Sequence, residues 1–182
     1  MKKNGYTLIE VLIASALFVV IMGAVVAIFG YSANLETRNS AISKASQTAR
    51  FITESIARDV RLAESFTIDP SVPEITITDN NQNTFSYYWG SSGTSSDNDI
   101  IYYRDKTTNE SIPLNNPEQV SIDNFALSGI DGTTLGTQSY LTIDIGAQAR
   151  IGTKTLATQT QNIKTTVSTR AYNKGGQKIT PQ

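Results

Sequence analysis

The sequence predicts an α+β protein: a long amino-terminal α-helix, membrane-spanning in its first half and amphipathic in its second, packed on a carboxyl-terminal antiparallel β-sheet domain. Three observations carry this. Residues 11–35 form a run of 25 without a formal charge. Across residues 35–63, apolar residues recur at spacings of three, four and seven, which line up on one face of a helix. After residue 69 the period becomes two, and Thr, Ser, Asn and Gln alternate with apolar residues between Pro and Gly, the pattern of strands and turns.

The apolar run comes first. As a helix rising 1.5 Å per residue it reaches roughly 37 Å, more than the ~30 Å hydrocarbon thickness of a bilayer. Lys2 and Lys3 precede it and, by the positive-inside tendency, stay cytoplasmic, placing the carboxyl-terminal region outside. A secretory signal carries an apolar stretch of only ~7 to 15 residues, so this run exceeds one. Glu10 is the informative residue, because an ionisable group at the start of an apolar span is costly and calls for a partner. Gly23 and Gly30 fit close helix packing within a membrane.

The string GYTLIEVLIA, residues 5–14, resembles the processing signal of type IV prepilins and type II secretion pseudopilins. The resemblance implies that residues 1–5, MKKNG, are a leader removed after Gly5 by a membrane-embedded aspartyl prepilin peptidase, and that the new terminus, Tyr6, is N-methylated. It further implies that Glu10 pairs with the terminal amine of a neighbouring subunit and so sets assembly register. Physically, a carboxylate and an ammonium in a low-dielectric bundle offset each other's desolvation only in close geometry. Tyr6 stands where Phe is commoner in the family, and the helix-breaking Pro of many major pilins is missing, the first Pro being Pro70.

No Gly or Pro interrupts residues 32–68, so the transmembrane or assembly part (6–33) and the amphipathic part (34–68) are expected to join into one helix ended by Asp69 and Pro70. Its apolar stripe comprises Leu35, Ile42, Ala45, Ala49, Ile52, Ile56, Val60 and Ala63. Arg38, Lys44, Arg50, Glu54, Arg58 and Arg61 take other faces, with Glu54 and Arg58 four apart. The stretch ARFITESIARDVRLAESF, residues 49–66, resembles the corresponding helix of J-type pseudopilins and W-type minor pilins, which favours a minor over a major subunit.

The β-rich domain is expected over 69–172, with strands at 74–79, 84–89, 99–104, 119–127, 139–148 and 163–172, and a flexible tail over 173–182. Asn80 and Asn81 suit a tight turn, and 90–98 a flexible connection. A sheet packed on the helix stripe hides both apolar faces. If strands 84–89 and 99–104 pair, Tyr87, Tyr88, Trp89, Tyr102 and Tyr103 form a cross-strand aromatic cluster. Tyr88 then points away from Phe85, Tyr87 and Trp89, which makes it a candidate partner or glycan surface. Asp97, Asp99 and Asp105 could offer oxygen ligands, but their spacing matches no calcium loop and is read as a solvated turn.

Composition narrows the function. Fifteen basic and 16 acidic residues give a net charge of -1, which supplies no positive field for nucleic acid. Without Cys or His there is no disulfide, thiol nucleophile, imidazole ligand or Ser-His-Asp triad. No catalytic residue, cofactor or metal is expected. The reading is a structural subunit, a minor pilin or minor pseudopilin of a type IV pilus, type II secretion or competence-type filament. Its implied partners are prepilin peptidase, other pilin or pseudopilin subunits and an inner-membrane assembly platform. Its implied place is the inner membrane, single-pass with the carboxyl terminus outside, and then an extracytoplasmic filament. The alternative is a single-pass membrane-anchored extracytoplasmic binding module that does not polymerise; a hydrolase using Asp and Glu pairs finds no support in the spacing.

Overall fold

The computed structural model describes residues 7–69, 71–91, 99–130, 138–151 and 154–172. The chain divides into two compact units, Met1–Ser40 and Ala41–Gln182. One helix, α1 (Leu8–Leu62), begins in the first and ends in the second.

In the first unit every described side chain is exposed, including Leu8, Val11, Phe18, Val20 and Phe29. Three polar side chains of this stretch turn back onto their own helix. Ser15 Oγ donates to Leu12 O (2.9 Å), Asn34 Nδ2 to Gly30 O (3.1 Å) and Thr37 Oγ1 to Ala33 O (3.0 Å). In an apolar medium that internal bonding is what a spanning segment requires. Among the described residues nothing lies within 4 Å of a Cβ added at Gly23 or Gly30, so no contact among them demands glycine at either place.

In the second unit the expected stripe is the buried face of α1: Ala45, Ala49, Ile52, Ile56 and Val60 are fully buried. The helix ends at Leu62, six residues before the expected Ile68. Residues Ser65–Asp69 are instead a strand, β1, paired antiparallel with β2 (Glu74–Thr78) through Phe66 and Ile77 and through Ile68 and Ile75. Local sequence allowed the helix to continue; burial of Phe66 and the cross-strand partners decide otherwise. Pro70, expected to end the helix, lies outside the described residues, as does the tail over 173–182.

The β region forms two antiparallel sheets rather than one. The first runs β1-β2-β3-β4-β5, adding β3 (Thr84–Gly90), β4 (Ile100–Asp105) and the short β5 (Ser111–Pro113). The second runs β6-β7-β8, from β6 (Val120–Ile130), β7 (Gln138–Ile151) and β8 (Lys154–Tyr172). All six expected strands are present, within a few residues at most boundaries; β8 starts nine residues before the expected 163, and β1 and β5 were unforeseen. Along β7 the burial alternates, Leu141, Ile143, Ile145, Ala147 and Ala149 all facing a single hydrophobic core shared by α1 and both sheets.

Two polar devices tie the layers. Tyr87 on β3 bonds to Asp59 on α1. Buried Asn115 joins the sheets: its Oδ1 accepts from Ile101 N (3.0 Å), and its Nδ2 donates to Asp99 O (3.0 Å) and Val120 O (2.8 Å). A β-bulge between Ile122 and Asn124 sets Asp123 apart, where its Oδ2 accepts from Gln148 Nε2 (2.7 Å) and Thr160 Oγ1 (2.9 Å).

Candidate functional site

Glu10 stands in the first turn of α1, as the third helical residue. It is held there by Thr7. The Thr7 N–H donates to Glu10 Oε2 at 2.8 Å and the Thr7 hydroxyl to the same oxygen at 3.0 Å, while the Glu10 N–H donates back to Thr7 Oγ1 at 3.4 Å. Together they make a reciprocal capping box, with Thr7 as the N-cap and Glu10 at the third position. Two of the backbone donors that a helix start leaves without partners are thereby satisfied. A carboxylate at a helix amino terminus also meets the positive end of the helix dipole.

The cap fixes the direction of the carboxylate but uses one of its oxygens; the recorded bonds all fall on Oε2. Glu10 is exposed and followed by an apolar surface. The geometry therefore presents an oriented carboxylate at the end of an apolar rod, suited to accepting a bond from a cationic or N–H donor brought by another chain. Gly5 and Tyr6, the expected cleavage and methylation positions, lie outside the described residues. Thr7 was missed by sequence reasoning although its signal was present: Thr-x-x-Glu ahead of an apolar run is the capping-box pattern.

From residue 8 onward the helix is long and apolar enough to cross a membrane, and none of its most apolar stretch is buried. Burial of that surface needs a second phase or a second chain.

Tyr88 lies on the face of β3 opposite Tyr87, as alternation required, but it is half-buried. Its ring stacks on its register partner Tyr102, with centroids 5.2 Å apart, and Arg104 sits 4.0 Å from its ring centre. Its hydroxyl donates to Ser111 Oγ (3.2 Å), to which Arg104 Nε also donates (3.3 Å). The ring is thus engaged by its own sheet. On the inner face, Phe85, Tyr87 and Tyr103 pack edge-on or tilted with centroids 5.4 to 6.2 Å apart. Of the three aspartates weighed as ligands, Asp97 lies outside the described residues, Asp99 is buried, and Asp105 Oδ1 accepts from Thr107 N and Thr108 N within its own turn.

No curated protein and no solved structure matches the chain significantly. At the amino terminus there is a match: residues 1–26 fit the family model of the prokaryotic N-terminal methylation motif, which supports a type IV pilin-like, prepilin-type start to the chain.

Proposed function

We propose that this chain is a filament subunit, a minor pilin or minor pseudopilin. Prepilin peptidase removes MKKNG after Gly5, Tyr6 becomes the N-methylated terminus, and the subunit waits in the inner membrane with its carboxyl-terminal region outside. An inner-membrane assembly platform then draws its helix into a filament of pilin or pseudopilin subunits. The observation that carries this reading is the methylation motif over residues 1–26, followed at once by an exposed apolar helix with a capped carboxylate in its first turn.

Glu10 takes the register role. Its Oε2 is held by Thr7, which leaves Oε1 to receive the terminal ammonium of the next subunit. In a packed helix bundle that pair is worth its desolvation only when the geometry is close, so misregistered subunits are rejected. The resemblance of residues 49–66 to J-type and W-type helices supports the minor class.

The test is intact mass and amino-terminal sequencing of the chain from native membranes. A chain starting at N-methylated Tyr6 is expected. A chain still starting at Met1 in cells with active prepilin peptidase overturns the reading and leaves the anchored binding module. Glu10→Ala then separates the two further, since a subunit fails to enter filaments whereas a lone anchor tolerates the change.

A further inference from the structure

β6 is one of the two edge strands of the three-stranded sheet. Its far end borders a groove of 710 Å³, walled on the other side by Ile68, Asp69 and residues 71–73. All six residues 125–130 line it. A pocket over one face of a strand touches alternate residues, because successive side chains point to opposite faces. Six in a row mean that the backbone edge itself forms the wall. Among the described residues, main-chain bonds on that side of β6 stop at Ile122, whose N–H donates to Asp99 O at 3.0 Å.

Past the bulge between Ile122 and Asn124 the edge is also unguarded. Sheets blunt their edges with shortness, proline or charge. Here β1 and β5 have only five and three residues, β5 ends in Pro113, and β8 carries Lys164 exposed. Residues 124–130 of β6, NFALSGI, carry neither charge nor proline. The groove beside them is lined with Ile68, Val72, Phe125 and Leu127, and Asp69 is its one charged lining residue among those described.

We propose that this groove receives a single extended polypeptide segment from a different protein, which adds to β6 as a further strand. The backbone N–H and C=O groups of alternate residues in 124–130, those turned away from β7, supply the ladder, and the apolar lining takes alternate side chains of the incoming segment. Asp69 favours a segment with a basic residue at one end. A second copy of this chain is a poorer occupant. Its described strands are all paired within sheets, so it could offer only a whole sheet edge, whereas a groove walled on both sides admits a lone strand.

The test uses the full chain in detergent micelles and a short synthetic peptide of alternating Val and Thr with a lysine at each end. Binding is followed by anisotropy of the labelled peptide, and the site by hydrogen–deuterium exchange. The peptide is expected to slow exchange at least tenfold at the amides of residues 124–130 that face away from β7 while leaving β5 and β8 unchanged. Methylating alternate backbone nitrogens of the peptide is expected to weaken binding at least tenfold, a control that leaves the protein untouched. Ser128→Lys, on an exposed position of the same edge, is expected to weaken it similarly with an unchanged melting temperature. Unchanged exchange at 124–130, equal binding of the methylated peptide, or full binding by Ser128→Lys overturns the proposal. So does protection of those amides without peptide, whether it grows with protein concentration, as a second copy would cause, or vanishes on truncation after Tyr172, as the chain's own tail would cause.

Discussion

The hydroxyl of Tyr87 donates a 2.6 Å hydrogen bond to Asp59 Oδ2, pinning the centre of β3 to the last turns of α1. Tyr87 is buried, and the Asp59 side chain is only 18% exposed, so neither group has much water to fall back on. Replacing Tyr87 by Phe keeps the ring and removes the donor. A bond to a charged acceptor in such a place is worth about 2 kcal/mol, and Tyr87→Phe is expected to cost that much. Denaturation of the full chain in detergent micelles, followed by near-ultraviolet circular dichroism, measures it.

The same pair sets an alkaline limit. Burial pushes the Tyr87 hydroxyl far above the ordinary tyrosine value, and the hydrogen bond and negative charge of Asp59 push it further. A folded-state pKa above the unfolded one means stability that is full below the unfolded value, about pH 10, and lost as pH rises towards the folded one. The wild type should therefore lose stability steadily above about pH 10, and Tyr87→Phe should lose less of it over the same range. Unfolding midpoints between neutral and strongly alkaline pH decide this.

On the acid side the relevant carboxylate is Glu74, which accepts a 2.6 Å bond from Lys106 Nζ. Burial, the largest single influence, raises its pKa, but the Lys106 bond, the nearby Ser86 hydroxyl and the positive charges of Lys106 and Arg104 together outweigh it and hold the group below its ordinary value. Its contribution is present above the unfolded value near ~4.3 and is lost as pH falls through the folded one. Lys106→Met should cost at most about 1 kcal/mol at neutral pH, since the pair is partly solvated. The gap between variant and wild type should close as the pH is lowered past Glu74, and acid denaturation curves of the two proteins check it.

Asn115→Ala removes three buried hydrogen bonds at the seam between the sheets and strands the N–H of Ile101 and the carbonyl of Val120. The expected loss is about 3 kcal/mol. Asn115→Asp keeps the acceptor for Ile101 but sets a carboxylate oxygen against the Asp99 and Val120 carbonyls, and should cost at least as much as Ala at neutral pH on the same melting curves.

Gly146 faces the bulge on β6, and a Cβ there would run into Asp123 Oδ1 and lie 3.0 Å from Asn162 Oδ1. Gly146→Ala should cost about 1 to 3 kcal/mol through this crowding. Gly146→Ala combined with Asp123→Ala should recover part of the loss, which a double-mutant cycle reads directly.

What could be read in the sequence follows a physical divide. The helix stripe from Ala45 to Val60 was legible because its period is a local property, and it is the buried face. The opposition of Tyr88 to Tyr87 was legible for the same reason, whereas the hold of Arg104 on the Tyr88 ring depends on which strands pair and in what register. The end of α1 was misplaced because Phe66 and Ile68 sit acceptably in a helix; only their cross-strand partners Ile77 and Ile75, beyond the turn, make them a strand. The bridge between the two sheets is made by Asn115, one polar residue among several in its loop, which no periodicity singles out. Thr7 and Glu10 form a local pair, and their spacing was open to reading from the start.

Strand order carries one more consequence. Among the described residues each strand of both sheets pairs with its neighbour in sequence, β1 through β5 and then β6 through β8, with no crossover. Closing such short loops costs little entropy, and topologies rich in local pairings fold quickly. A polypeptide threaded through a narrow passage from its amino-terminal end can then zip one hairpin after another as it emerges. No strand has to wait, open to aggregation, for a partner still on the far side.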